Sequence, residues 1–405
     1  MIILIKIKKY FKFSREFLIN FLTGVTLSSI FCEIIINKSK NDKVKKKFLI
    51  KSIKSFQLKS QNDNDLFNLN VFSENLKYEI KKKINPSNKS IFFLKHIMLY
   101  HLWFGSFANS QYVRNLYREN IISYQKNKDI LDLNAVRAVI EVNRLNLLKE
   151  WIKHKNFSKQ DKKLSKIFLN YLKITSNEKL SDLELSKMEM IDLVKDKKVI
   201  VIGPAPDDEF KSDDLYKKFD VSVGPNYVCD RDTKFNISYY VALIKKVKTD
   251  LIYNSFKKLD FACVASQYYK LIDLSKIENS NVRSFEEELL SLMLIFKSRP
   301  NLIQDIIYDL LKHNPRKIYL CGTNFFLGKK TYRDNSFTKY IDNERKKDGV
   351  IKTLRLHDPF ANFAFLKNVW TNGLIDVSED LKSVISLSEE DFSIKLDNLS
   401  NTNFN

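Results

Sequence analysis

The run Lys198-Val199-Ile200-Val201-Ile202-Gly203-Pro204-Ala205-Pro206 decides the fold. It reads as an apolar strand that enters a tight turn. More than a hundred residues later, Lys317-Ile318-Tyr319-Leu320-Cys321-Gly322-Thr323-Asn324-Phe325 ends in the same way. Open parallel sheets hold their ligands at such carboxyl ends, so the pair predicts a nucleotide or sugar-nucleotide site in the C-terminal half.

Around these two strands, short apolar runs at 198–202, 219–223, 250–253, 260–264, 317–321 and 351–355 alternate with polar stretches of helical character. That alternation predicts an α/β fold with a Rossmann-like, mostly parallel sheet. The segment Ser284 to Leu311, helical on either side of Pro300, leads into the strand at 317 as a crossover connection would. Upstream the pattern is helical. From Asp132 to Trp151 the apolar residues Leu133, Val136, Val139, Ile140, Val142, Leu145 and Leu148 recur at helical spacing, and amphipathic stretches follow at Asp161–Tyr171 and Leu180–Val194. Three regions result: a basic, partly apolar helical segment at 1–60, a mainly helical region at 61–195, and the sheet region at 196–405.

A formal charge of +21 gives the chain a positive field suited to anionic lipid or an anionic small substrate. The absence of Cys/His finger spacing and of an RNP-like stretch argues against nucleic acid. The four cysteines, Cys32, Cys229, Cys263 and Cys321, lie scattered in apolar stretches without CxxC spacing. Reduced, buried thiols and a cytosolic compartment are expected. Phe17 to Cys32 is an uncharged run of 16 residues, short of the roughly 18–20 a spanning helix needs. It is expected to form a core or interface helix, or to attach peripherally to an anionic leaflet through the basic residues around it.

At the predicted crevice, Gly203 can bring backbone donors near a phosphate, although neither a GxGxxG nor a Walker lysine pattern is present and a plain tight turn explains it too. Asn226, in Gly224-Pro225-Asn226-Tyr227, offers donor and acceptor together for a base edge or ribose hydroxyl, and also suits a turn. Arg299 precedes Pro300 and can pair with a phosphate. Beyond Gly322, Tyr332 and Arg333 can steady and neutralise a leaving phosphate. His357 is one of only five histidines, and with Asp358 beside it, it suits a general base tuned by a carboxylate. His313 and His96 look structural. No pattern of metal ligands stands out.

From about Lys198 to Phe365 the chain resembles the bacterial sialyltransferases of glycosyltransferase family 42. The resemblance implies a GT-A-like variant of the Rossmann-like sheet, a CMP-linked sugar as donor, no required metal or other cofactor, and inversion through a histidine base. Where the family has Gly-Asn-Gly-Pro-Ser, this chain has Gly203-Pro204-Ala205-Pro206-Asp207, which removes the Asn contact to the nucleotide. Phe219-Asp220-Val221 with Asn226 resembles the family's second strand. Arg299 stands 23 residues before Gly322, as the family's arginine does before its strand-end glycine. The family's Ile-Tyr-Leu-Ser-Gly-Ile-Asp-Phe-Tyr becomes Ile318-Tyr319-Leu320-Cys321-Gly322-Thr323-Asn324-Phe325-Phe326. Of the two tyrosines that contact the departing phosphate in the family, only Tyr332 is kept, and Phe326 takes the place of the other. The lost hydroxyl corresponds to about 1.5–3 kcal/mol, with Arg333 placed to compensate.

The resemblance thus implies nucleotide contacts from Gly203, Pro204, Ala205, Asn226, Gly322, Thr323, Asn324, Phe326 and Arg333. His357 would act as base, and Tyr332 and Arg299 would hold the phosphate. The implied acceptor is a surface glycan or glycolipid of lipopolysaccharide or capsule type, met from the bacterial cytoplasm at the inner face of the membrane. Transfer of Kdo or another sugar, a non-catalytic nucleotide- or glycan-binding protein, and a membrane-associated scaffold are the alternatives. The sequence leaves homo-oligomerisation open.

Overall fold

The computed structural model describes residues 107–157, 162–176, 190–207, 215–229, 235–241, 249–277, 281–292, 300–325 and 357–402, with a few single positions between them. They belong to one compact unit, 94–405. The apolar runs pair into a seven-stranded sheet: β1 Lys198–Ile202, β2 Val221–Pro225, β3 Ile237–Tyr240, β4 Phe261–Ala265, β5 Val282–Phe285, β6 Lys317–Cys321 and β7 Asp376–Val377. Every pairing is parallel and the order is β5-β4-β3-β2-β1-β6-β7. The expected α/β, Rossmann-like architecture is therefore the observed one. Strands covered on both faces should be apolar throughout, and β4 is buried at all five positions.

Helices precede and cover the sheet: α1 Phe107–Gln125, α2 Leu133–Glu141, α3 Leu145–His154, α4 Lys162–Thr175, α5 Thr249–Phe256, α6 Leu302–Leu311, α7 Pro359–Thr371, α8 Glu379–Ile385 and α9 Glu389–Thr402. The periodic stretch from Asp132 to Trp151 is two helices rather than one. Asn143 adopts a left-handed φ of 54° and breaks it, a setting an Asn tolerates better than a β-branched residue such as the preceding Val142 would.

Three local readings are corrected. The apolar run 250–253 is part of α5, because Ile252 and Tyr253 are the buried face of a helix and so short a run carries no period of its own. The second strand starts at Val221, two residues later than expected. Residues 284 and 285 are the end of β5 and not helix. Strand β3 escapes a hydropathy reading because its polar side chains are buried with partners, and β5 because Arg283 and the exposed Ser284 interrupt its apolar residues. Ser238 Oγ donates to Gly224 O at 3.0 Å, Tyr240 OH to Tyr227 O at 2.9 Å, and Tyr239 OH to Asp309 Oδ2 at 2.6 Å. The apolar run 351–355 and the segment 1–60 lie outside the described residues.

Register places Tyr239, Cys263 and Arg283 side by side across β3, β4 and β5. Asp309 of α6 meets this row by pairing with Arg283, and Lys312 Nζ lies 3.0 Å from its other oxygen. The Arg283–Asp309 pair holds α6 on the sheet, and burial pushes the Cys263 thiol up to about 12, which makes it inert. Cys229, Cys263 and Cys321 are free thiols, the latter two buried. His313 is buried too, its Nδ1 2.8 Å from Asp309 O. Burial lowers its pKa below the ordinary histidine value, against the pull of Asp309.

The unfolded chain therefore binds a proton at His313 before the folded chain does. Stability falls as pH drops below about 6.5, until the folded histidine titrates as well. Asp309, whose pKa is depressed, adds its own loss only below about pH 4. His313→Asn, which keeps a donor for the Asp309 carbonyl, is expected to flatten the fall in melting temperature between about pH 7 and 5. An unchanged slope would remove His313 as its source.

Candidate functional site at the strand-order switch

From β1 the chain steps outward through β2, β3, β4 and β5, then crosses back to lay β6 and β7 on the other side of β1. The strand order thus reverses at β1 and β6, and open α/β sheets bind their ligands outside the carboxyl ends of the strands at such a point. Those ends are Gly203 and Gly322.

The two glycines meet backbone to backbone. Gly203 N donates to Cys321 O at 2.8 Å, and Ala205 N donates to Gly322 O at 2.8 Å. A Cβ on Gly203 would stand 2.1 Å from Gly322 O, and one on Gly322 would stand 2.6 Å from Gly203 O. Gly322 also needs a φ of +66°. Asp207 clamps the junction: its Oδ2 accepts from Gly322 N at 2.8 Å and from Ser378 Oγ at 2.7 Å, and Ser378 caps α8. The backbone N–H groups of Gly203, Ala205 and Gly322 are thus bonded within the fold, and Pro204 and Pro206 have none. A phosphate nest of the kind the glycine suggested does not form from these residues. The side chain left at this point is Thr323, whose Oγ1 is buried with no hydrogen-bond partner among the described residues. It would lie 2.4 Å from a Cβ on Gly203.

Topology brings His357 to the same edge of the sheet. A helix that returns the chain to a parallel strand runs opposite to it, so the amino ends of α6, before β6, and α7, before β7, lie on the carboxyl side. Their entrances are tied together. His357 Nδ1 lies 3.2 Å from Pro300 O, and Asn301 N donates to Asn362 Oδ1 at 2.8 Å. Asn362 Nδ2 in turn bonds the carbonyls of His357 and Asp358. The loop beyond β6 joins through Phe325, whose ring packs edge-on to Phe363 of α7 and Phe392 of α9, each at 5.7 Å. The bond to a carbonyl requires Nδ1–H, so a neutral His357 carries its lone pair on Nε2.

Asp358, read from the sequence as the carboxylate that tunes this base, does not take the Nδ1 hydrogen bond, which goes to the Pro300 carbonyl. Asp358 is fully buried and faces elsewhere: its oxygens accept from Arg114 at 3.0 and 2.9 Å, and one also caps α7 through Ala361 N at 3.3 Å. Arg114 forks at the same time onto Glu141, at 2.5 and 2.6 Å. Arg118 bonds Glu141 at 2.9 Å and Glu389 at 2.5 Å. Burial pushes Glu141 up, but the two guanidiniums outweigh it and hold its carboxyl below the usual range. For Asp358 burial prevails over Arg114 and the pKa is raised.

Of the residues read from the sequence, Gly203, Pro204, Ala205, Gly322 and Thr323 come together at the switch point. Asn226 follows β2 at a φ of 52°, its backbone N bonded to Tyr239 O at 2.8 Å and its side-chain oxygen 3.5 Å from Val241 N. Asn324 O accepts from Leu327 N at 2.9 Å. Arg299, Phe326, Tyr332 and Arg333 lie outside the described residues. Sequence reading passed over Asp207, Arg114 and Gln304. Gln304, in the first turn of α6, has both amide atoms buried with no partner among the described residues. Its signal was a polar residue inside Leu302-Ile303-Gln304-Asp305-Ile306-Ile307.

Among the described residues no group of three or more His, Cys, Asp or Glu is placed to hold a metal ion, and no helix is long and apolar enough to cross a membrane. Comparisons with protein-family models, curated proteins and solved structures find no match. The chain has a Rossmann-like fold, of the kind used by nucleotide-binding enzymes in general.

Proposed function

We propose that the chain is an inverting glycosyltransferase, a divergent relative of the family 42 sialyltransferases, that moves a sialic acid or related nonulosonate from a CMP-linked donor to a glycan or glycolipid acceptor. The observation that carries this reading is His357: its Nδ1 is committed to the Pro300 carbonyl, at the amino end of a helix on the ligand-binding edge of the sheet. A histidine so oriented presents Nε2 to take the proton of an acceptor hydroxyl as that oxygen attacks the anomeric carbon. The bond from the anomeric carbon to the phosphate oxygen breaks with inversion, and CMP departs with the electron pair. Tyr332 and Arg299 serve the phosphate in this reading, and no metal or further cofactor takes part. Thr323, with its unpaired buried hydroxyl, is the described side chain at the switch point that a nucleotide would satisfy. The basic chain would draw both the anionic donor and the face of an anionic cytoplasmic membrane.

One observation favours a second reading, a nucleotide-binding protein without turnover. The N–H groups of Gly203, Ala205 and Gly322 are already bonded, so the backbone of this turn adds little phosphate stabilisation. Measuring CMP release from CMP-sialic acid, with and without a mixed glycolipid acceptor pool, separates the two. Acceptor-dependent release should fall by roughly 10²–10⁴-fold in His357→Ala. Tight CMP binding without release would establish the second reading, and no CMP binding would refute both.

A further inference from the structure

Asp358 holds a backbone conformation that an L-residue rarely adopts, φ 28° and ψ 86°, directly after His357. Such a setting costs about 1–3 kcal/mol and persists only where its surroundings impose it. Here the surroundings are identifiable. The Arg114 guanidinium, with no solvent exposure, spans from Glu141 of α2 to both oxygens of Asp358. Its place is fixed from behind by Arg118, which reaches Glu141 and then Glu389 at the start of α9. The ring of Phe360, the second residue of α7, lies 5.6 Å from the same guanidinium. Arg114 of α1, held in place by Glu141 of α2, thus grips the residue that follows His357.

We propose that Arg114 is a positioning residue for His357, acting through Asp358. This deepens the reading of His357 as the base and rests on it. The planar fork is essential to the argument. A bidentate pair fixes the carboxylate in orientation as well as in position, whereas a lysine ammonium is a point charge that leaves the carboxylate free to rotate. Once the fork is lost, the strain at Asp358 relaxes through the peptide bond it shares with His357. The imidazole then leaves the Pro300 carbonyl, and the proton is no longer confined to Nδ1.

The test uses the full chain with ¹⁵N-labelled histidine. Its five histidines give a tractable long-range ¹H–¹⁵N spectrum, and His357→Gln identifies the signal of interest. In the parent, His357 is expected as the Nδ1–H tautomer. In Arg114→Lys it should become a tautomer mixture with a shifted titration midpoint, and kcat for CMP release should fall on the order of 10–100-fold with KM for the donor little changed. Asp358→Asn, which keeps the cap on Ala361 and tolerates positive φ, should change the tautomer in the same sense and serves if Arg114→Lys does not fold. A folded variant with an unchanged His357 tautomer and titration overturns the proposal. If the tautomer moves but neither parent nor variant releases CMP, the positioning stands and the transferase reading falls.

Discussion

Gly203→Ala should lower unfolding stability by about 3 kcal/mol, the upper end of the range for overpacking a well-filled site. The new Cβ would have to occupy a point 2.1 Å from Gly322 O and 2.4 Å from Thr323 Oγ1. The carbonyl is backbone at the end of a strand and cannot rotate aside, so β1 and β6 must separate at their carboxyl ends. Separation stretches two cross-loop bonds, Gly203 N to Cys321 O and Ala205 N to Gly322 O, each worth about 0.5–1.5 kcal/mol. Gly322→Ala meets the partner carbonyl from the other side and adds strain at a φ of +66°. The two effects share one cause, so the double variant should cost clearly less than the sum of the singles. Gly373→Ala is the control, with a φ of +71° but nothing within 4 Å of its Cβ, and should cost about 1 kcal/mol. Urea midpoints decide the matter: a Gly203→Ala protein as stable as Gly373→Ala would mean that the strand ends do not approach in this way.

The same glycine pair shows what a single sequence can reveal. Strands β1 and β6 were legible because buried parallel strands are continuous apolar runs, and their glycines were legible because a turn must follow. That the two runs are neighbours follows from the strand order, which their hydropathy does not encode. The bond between Gly203 and Cys321 closes a loop of more than a hundred residues, and nothing local announces it. Strands β3 and β5 were hidden for a different reason. Tyr239, Tyr240, Ser238 and Arg283 look like surface residues until Asp309, Tyr227 O and Gly224 O are in place to satisfy them. The position of His357 at the end of an apolar stretch and before a helix could be read directly. Its partner could not, because adjacency in sequence favoured Asp358 while the fold supplied Pro300 from 57 residues upstream. Arg114 was beyond any local pattern, since its partners stand 27 and 244 residues away.

Glu141→Gln should be nearly as costly as the glycine substitution and should act through a different term. Glu141 takes two bonds from Arg114 and one from Arg118, and both guanidiniums are almost fully removed from water. The amide still fills the space and can accept one of these bonds. The negative charge is gone, so Arg114 is left to Asp358 alone and Arg118 to Glu389 at the rim. Removing one partner of a buried ion pair costs about 3–5 kcal/mol, and because each arginine keeps one carboxylate here the loss should lie at the lower end, about 3 kcal/mol. An exposed pair gives the comparison. Lys317 and Asp376 link β6 to β7 with both side chains half in water, and Lys317→Ala should cost no more than about 1 kcal/mol, shrinking further in high salt. The Glu141 effect should persist at the same salt concentration, because solvent ions do not reach the cluster. α1 and α2 also meet the rest of the unit through Asp397, which accepts from Phe107 N and Ala108 N, and through Asn368, which donates to Ile140 O. With those contacts intact in Glu141→Gln, a loss no larger than that of Lys317→Ala would assign the docking of the helices to them and to the Phe107–Phe360 packing, rather than to the charge network. A loss in the expected range would place the two arginines of α1 among the groups that hold the carboxyl edge of the sheet in its folded form.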